Sequence, residues 1–197
     1  MPVKQTASRG LPLTVSDKSL LVGGSDREFR TLVHDMLAFA SSIQDVRNRL
    51  GQLIGLSGTQ YTILMAIARL GEESSDLGIN QLADHLHLSG AFVTIEVNKL
   101  VAAGLVTKLP NPDDRRRVML AVTEAARQRV LELARVQSPA NDALFAGLSA
   151  TEFRSLLAVM GKLVRNGEPT LHLIEYLAPG GRLDGATPRR APKAAAG

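Results

Sequence analysis

Apolar residues recur at intervals of three and four from Phe29 to Leu50, through Leu32, Val33, Met36, Leu37, Ala40, Ile43 and Val46, which predicts one long amphipathic helix with a single apolar stripe. Gly51 and Gly55 should end it. The stretch "LSGTQY" then announces a second helix: Ser57 can cap with Gln60, and Leu56 can staple onto Tyr61. Ile63, Leu64, Ile67 and Ala68 continue that helix until Gly71. A short helix is predicted over about 79–86, and a second over 90–103 with Val93, Val97, Leu100 and Val101 on one face. Two short amphipathic helices joined by the turn "HLSG" outline a helix-turn-helix.

After Gly104 the period shortens. "LVTKL" and "VMLAV" are apolar or β-branched runs separated by "PNPDDRRR", so they read as a hairpin with the charges at its tip. Thr123 is placed to cap a further helix running through Val130, Leu131 and Ala134 towards Leu144. Pro139 within it removes a backbone donor and crowds the carbonyl of Arg135, which predicts a kink or a break. A last helix begins at "LSATEF", where Ser149 and Glu152 form a capping box and Leu148 and Phe153 a staple. The fold class expected is therefore mainly α with a small β-wing.

The flanks carry no sustained period. Residues 1–25 read as a flexible arm, and 178–197, rich in Pro, Gly and Ala with Arg182, Arg189, Arg190 and Lys193, as a disordered basic tail. Between them the expected divisions are 26–56, 57–123 and 124–177. Composition narrows the chemistry: with 45% apolar residues in 197 the chain can bury one core, and a net charge of +4 is a mild basic excess that suits an anionic partner. The absence of cysteine excludes disulfides, thiolate nucleophiles and thiol redox sensing. The N-terminal stretch lacks the continuous apolar segment of a signal peptide and no run reaches membrane-helix length, so a cytoplasmic location and no membrane partner are expected.

The order of helix, helix-turn-helix and hairpin is that of a winged helix-turn-helix. Over roughly residues 26–165 the sequence resembles the MarR (multiple antibiotic resistance regulator) family of transcription factors. The resemblance is carried by "INQLADHLHLSGAFVTIEVNKLVAAGLV", by "NPDDRRRVMLAVT" with its Asp-x-Arg element at Asp114 and Arg116, and by the long helices at both ends. It implies a winged helix-turn-helix with N- and C-terminal dimerisation helices, a homodimer on double-stranded DNA, and release from a pseudo-palindromic operator by a small-molecule effector such as an aromatic acid or acyl thioester. A repressor is expected. A winged-helix adaptor that binds a protein partner is the alternative.

On that reading the second helix of the motif turns Gly90, Ala91, Thr94, Ile95 and Asn98 outward to base edges, with Ser89 near phosphate at its N-terminus. Asn98 can pair with adenine, Thr94 with several bases, and Ala91 and Ile95 with thymine methyls. The family resemblance makes Arg116 the minor-groove residue. Asp114 would brace the loop, and Arg115 and Arg117 would meet phosphates. Three positions depart from the family pattern: Ile95 stands where an arginine is common, Phe92 where a small residue is, and Glu96 where leucine is usual. A preference for A·T-rich half-sites follows as an expectation. His34, Tyr61, Met65 and Arg69 lie on the first two helices, where the family's effector crevice would open.

Other chemistry is sparse. His34, His85, His87 and His172 show no metal-ligand spacing, and His85 and His87 diverge on a helix. Asp113 and Asp114 beside three arginines would stay ionised and serve poorly as acid or base. "VGGSD" and "PGGR" lack the context of a phosphate-binding loop. Neither an enzyme nor a cofactor is expected.

Overall fold

A computed structural model describes residues 12–73, 76–111 and 118–178. These fall into two compact units divided after Leu144. The first contains α1 (Arg27–Leu53), α2 (Gly58–Glu73), α3 (Ile79–Leu86), α4 (Gly90–Ala102), β1 (Val106–Pro110), β2 (Val118–Val122) and α5 (Glu124–Leu144); the second contains α6 (Ala150–Leu177).

The main core lies within the winged part. Ile63, Leu64 and Ile67 of α2, Leu82 of α3, Val93, Val97 and Leu100 of α4, and Leu105, Val106 and Leu120 of the hairpin are buried in one cluster. A second, smaller cluster joins Leu50 of α1, Tyr61 of α2 and Leu133 of α5. Leu56 belongs to the first cluster and Tyr61 to the second, so the two anchor the start of α2 to different layers instead of stapling onto each other. The capping pair is as expected: the Ser57 amide donates to Gln60 Oε1 at 3.1 Å and the Gln60 amide to Ser57 Oγ at 3.2 Å.

The corner between α1 and α2 depends on two glycines. Gly55 takes φ +75°, where a side chain is strained. Gly51 lies inside α1, and a methyl there would sit 2.9 Å from the carbonyl oxygens of Leu56 and Ser57. α1 therefore runs past Gly51 to Leu53, and α2 past Gly71 to Glu73.

The hairpin is antiparallel, pairing Val106 with Val122 and Pro110 with Val118. It is tied to the segment before α3 from the middle of β2 and from the tip end of β1: the Leu120 amide donates to the Leu77 carbonyl at 2.8 Å, and Asn111 donates its side-chain amide to Asp76. Both bonds hold the hairpin against that segment. Thr123 caps α5 as predicted, accepting from the Ala126 amide at 3.1 Å while donating to the Gly104 carbonyl at 2.8 Å.

One feature differs from the sequence expectation. α5 is one helix through Pro139, with no break. The carbonyl that Pro139 leaves unpaired belongs to the exposed Arg135, where water can satisfy it. The described part of the N-terminal segment, residues 12–25, has local structure. From residue 12 it carries a short 3-10 turn at Lys18–Leu20, and the buried Asp26 accepts from the Thr14 amide (2.8 Å) and hydroxyl (2.7 Å), which hold its carboxyl below the usual range.

α6 opens on the capping box of Ser149 and Glu152, and the Phe153 ring meets Phe145 edge-on at 6.5 Å. Its apolar stripe, Leu156, Leu157, Met160, Leu163 and Val164, is exposed. Among the described residues no single helix is long and apolar enough to cross a membrane.

Candidate nucleic-acid interface

The turn between α3 and α4 is built by three residues. His87 takes φ 52°, and its amide donates back to the carbonyls of Ala83 and Asp84, ending α3 sharply. The Leu88 amide bonds the Ala83 carbonyl at 3.0 Å. Ser89 then caps α4, its hydroxyl accepting from the Phe92 amide at 3.3 Å. The exposed N-terminus of α4 thus offers amides and dipole to an anion, with Ser89 at its edge.

Periodicity sets the rest. With Val93, Val97 and Leu100 fully buried, the opposite face of α4 must look outward, and Ala91, Ile95 and Asn98 are exposed while Gly90 and Thr94 are half-buried at its margin. Ile95 is 54% exposed, and Phe92, one turn before it, is 40% exposed, two large apolar side chains beside small and polar ones. Thr94 donates its hydroxyl to the Gly90 carbonyl at 2.7 Å. Asn98 is engaged from outside its helix: Nζ of Lys108, on β1, donates to Asn98 Oδ1 at 2.6 Å.

Lys108 was not singled out from sequence. Its signal is faint, a lone lysine on a strand, and nothing in the spacing shows that β1 runs beside α4. Glu96 takes the buried side of α4, where its carboxylate accepts from Lys99 Nζ at 2.7 Å. Asp114, Arg115, Arg116 and Arg117 lie outside the described residues, between Asn111 and Val118.

His34, Tyr61, Met65 and Arg69 are not brought to one crevice. His34 is exposed on α1. Tyr61 is buried with Leu50 and Leu133, Met65 packs against that cluster, and the Arg47 guanidinium lies 5.8 Å over the Tyr61 ring. Burial raises the Tyr61 phenol above its usual pKa, so it stays neutral. Arg69 points to α3, where it meets His85 Nε2 at 2.7 Å, and within its own helix it lies 3.7 Å from Glu73. Burial and the Arg69 charge lower the His85 pKa.

A groove of about 720 Å³ does open elsewhere, between α2, β2 and α5, lined by Ile67, Leu120, Val122, Val130 and Leu131 with Arg127 among them. Among the described residues no group of three or more His, Asp or Glu side chains is placed to hold a metal ion.

Residues 54–117 match a family model described as the MarR family. Solved structures with the same fold include the transcriptional regulator BldR from Sulfolobus solfataricus, 28% identical over 72% of this chain and 96% of that one, with a TM-score of 0.58. A mutant MarR from E. coli complexed with operator DNA is 21% identical over 75% and 99% of the two chains, TM-score 0.58. The transcriptional regulator SlyA is 14% identical over 73% and 98%, TM-score 0.61.

Proposed function

We propose that this chain, a transcriptional regulator whose winged helix-turn-helix segment belongs to the MarR family, acts as a homodimer that sets α4 into successive major grooves of a pseudo-palindromic operator. The observation that carries the reading is the outward face of α4, which holds Ala91, Thr94, Ile95 and Asn98 against a fully buried opposite face. A helix so anchored can enter a groove without rearranging its core. Ala91 and Ile95 supply methyl contacts for thymine, Gly90 allows close approach, and Ser89 with the α4 amides takes a phosphate.

The tip arginines complete the interface. Arg116 is assigned to the minor groove, braced by Asp114, with Arg115 and Arg117 on phosphates. The exposed Ile95 brings no charge to the groove, so these arginines carry more of the electrostatic affinity. A repressor is the sign of regulation proposed, with the cytoplasm as its location.

The effector is assigned to the groove between α2, β2 and α5, where Arg127 can receive a carboxylate and the apolar lining an aromatic or acyl body. Occupation there bears on the packing of the winged part against α5. A ligand that binds better to the spacing that does not fit the operator releases DNA by shifting the population.

A mobility-shift titration with the DNA upstream of the protein's own gene tests the reading. The wild type is expected to bind it in preference to random duplex, and Arg116→Ala to lose on the order of tenfold or more in affinity with its oligomeric state unchanged. Equal affinity for operator and random DNA would refute a specific regulator. Unchanged affinity in Arg116→Ala would remove that residue from the interface.

A further inference from the structure

The outward face of α4 is not a row of independent side chains, because two of its polar members already have partners. Thr94 gives its hydroxyl proton to the Gly90 carbonyl, so its oxygen offers the groove lone pairs only. One turn on, the Oδ1 of Asn98 is held by the ammonium of Lys108 at 2.6 Å, a short charge-assisted bond.

An asparagine that reads adenine needs both ends of its amide, Oδ1 accepting from the N6 amino group while Nδ2 donates to N7. Lys108 takes one of the two lone pairs of Oδ1 and sets its ammonium beside the other, so an adenine amino group would arrive next to a positive charge, donor beside donor. What the pair presents is protons: two on Nδ2 and two remaining on Nζ. The purine edge that offers two adjacent acceptors in the major groove is guanine, through O6 and N7.

Resting on the reading that α4 enters the major groove, we propose that Lys108 is a specificity-determining residue: by holding Asn98 Oδ1 it turns Asn98 from an adenine reader into half of a two-residue guanine reader. The face of α4 then carries an ordered pattern. Ala91 and Ile95 offer methyl contacts, Thr94 an acceptor for the amino group of adenine or cytosine, and Asn98 with Lys108 a pair of donors. This refines the A·T expectation from sequence, placing one G·C pair opposite the Asn98 end of the reading face. Desolvation in the groove strengthens the bond that sets the pattern, because fewer waters then compete for Oδ1.

Selection of bound duplexes from a random library tests this with the full-length wild type, Lys108→Met and Asn98→Ala. Lys108 is exposed on its strand, so methionine there leaves the fold intact, as an unchanged circular-dichroism spectrum will confirm. The wild type is expected to select guanine at one fixed position of each half-site. Lys108→Met should change that position to adenine, by about tenfold over guanine, and Asn98→Ala should lose the preference there while other positions persist. Adenine at that position in the wild type overturns the proposal. So does an unchanged guanine column in Lys108→Met with uniformly weaker binding, which would make Lys108 a phosphate contact. If the wild type selects no duplex at all, the regulator reading itself fails, so the two failures are distinguishable.

Discussion

At the scale of single residues, Glu96 shows how α4 resolves a conflict between pattern and chemistry. It stands on the buried side between Val93 and Val97, where the period asks for an apolar residue, and it is 7% exposed. Its stem fills the apolar place and its carboxylate reaches Lys99, three residues on, whose ammonium end stays half in water. An ion pair of this kind contributes little against a well-packed apolar side chain, yet losing one partner leaves a buried charge unpaired. Glu96→Leu is therefore expected to leave the thermal midpoint unchanged or raised, and Lys99→Met to lower stability by about 1 kcal/mol, discounted for the exposure of the ammonium. Chemical denaturation of the two variants reads both signs; a destabilised Glu96→Leu would show that the carboxylate has another task. The outward positions Ala91, Ile95 and Asn98 were legible from period alone, since burial of Val93, Val97 and Leu100 fixes the opposite face. The hold of Lys108 on Asn98 was not, because it joins residues on two different elements whose relative placement no local pattern encodes.

At the scale of elements, most boundaries were written in short-range chemistry. The caps at Ser57, Thr123 and Ser149 form as their spacing predicts, and Ser89 caps α4 as well. What local chemistry does not encode is how elements lean on one another, and there the pattern reading fell short. Arg69 spans from α2 to α3 and bonds His85, a contact that no spacing along α2 announces. This contact makes the α2 to α3 packing sensitive to acid. His85 accepts from Arg69 only when neutral, and burial first, then the Arg69 and His87 charges, lower its pKa from 6.5, with Glu73 alone raising it. A histidine depressed in the folded state contributes its stability in full above the ordinary value of 6.5, and that contribution falls away as pH drops through the lower, folded value. Thermal unfolding midpoints between neutral and mildly acid pH should therefore fall more steeply in the wild type than in His85→Gln. Parallel slopes would show that the contact with Arg69 does not couple to folding.

At the scale of the whole molecule, a period announces an apolar face but not what covers it. The stripe of α1 is apolar as its period predicts, and among the described residues only its C-terminal end, from Val46 to Leu50, joins a buried cluster. Leu32, Val33 and Leu37 are exposed, and so are Leu156, Leu157, Leu163 and Val164 along α6. Exposed apolar stripes of this sort mark an interface, and in the proposed homodimer a second copy of the same chain would cover them. Leu37, 67% exposed, gives the cleanest test, since little packing within the chain is lost when it is changed. Leu37→Glu is expected to sediment as a folded monomer with an unchanged helical spectrum, because a carboxylate in the dimer seam would be desolvated without a partner. A monomer engages one half-site at a time, so operator affinity should fall on the order of a hundredfold or more, while contact with a single half-site persists at high concentration. The wild-type thermal midpoint should also rise with protein concentration, and that of Leu37→Glu should not. A Leu37→Glu chain that stays dimeric and binds the operator as tightly as the wild type would remove this part of α1 from the interface.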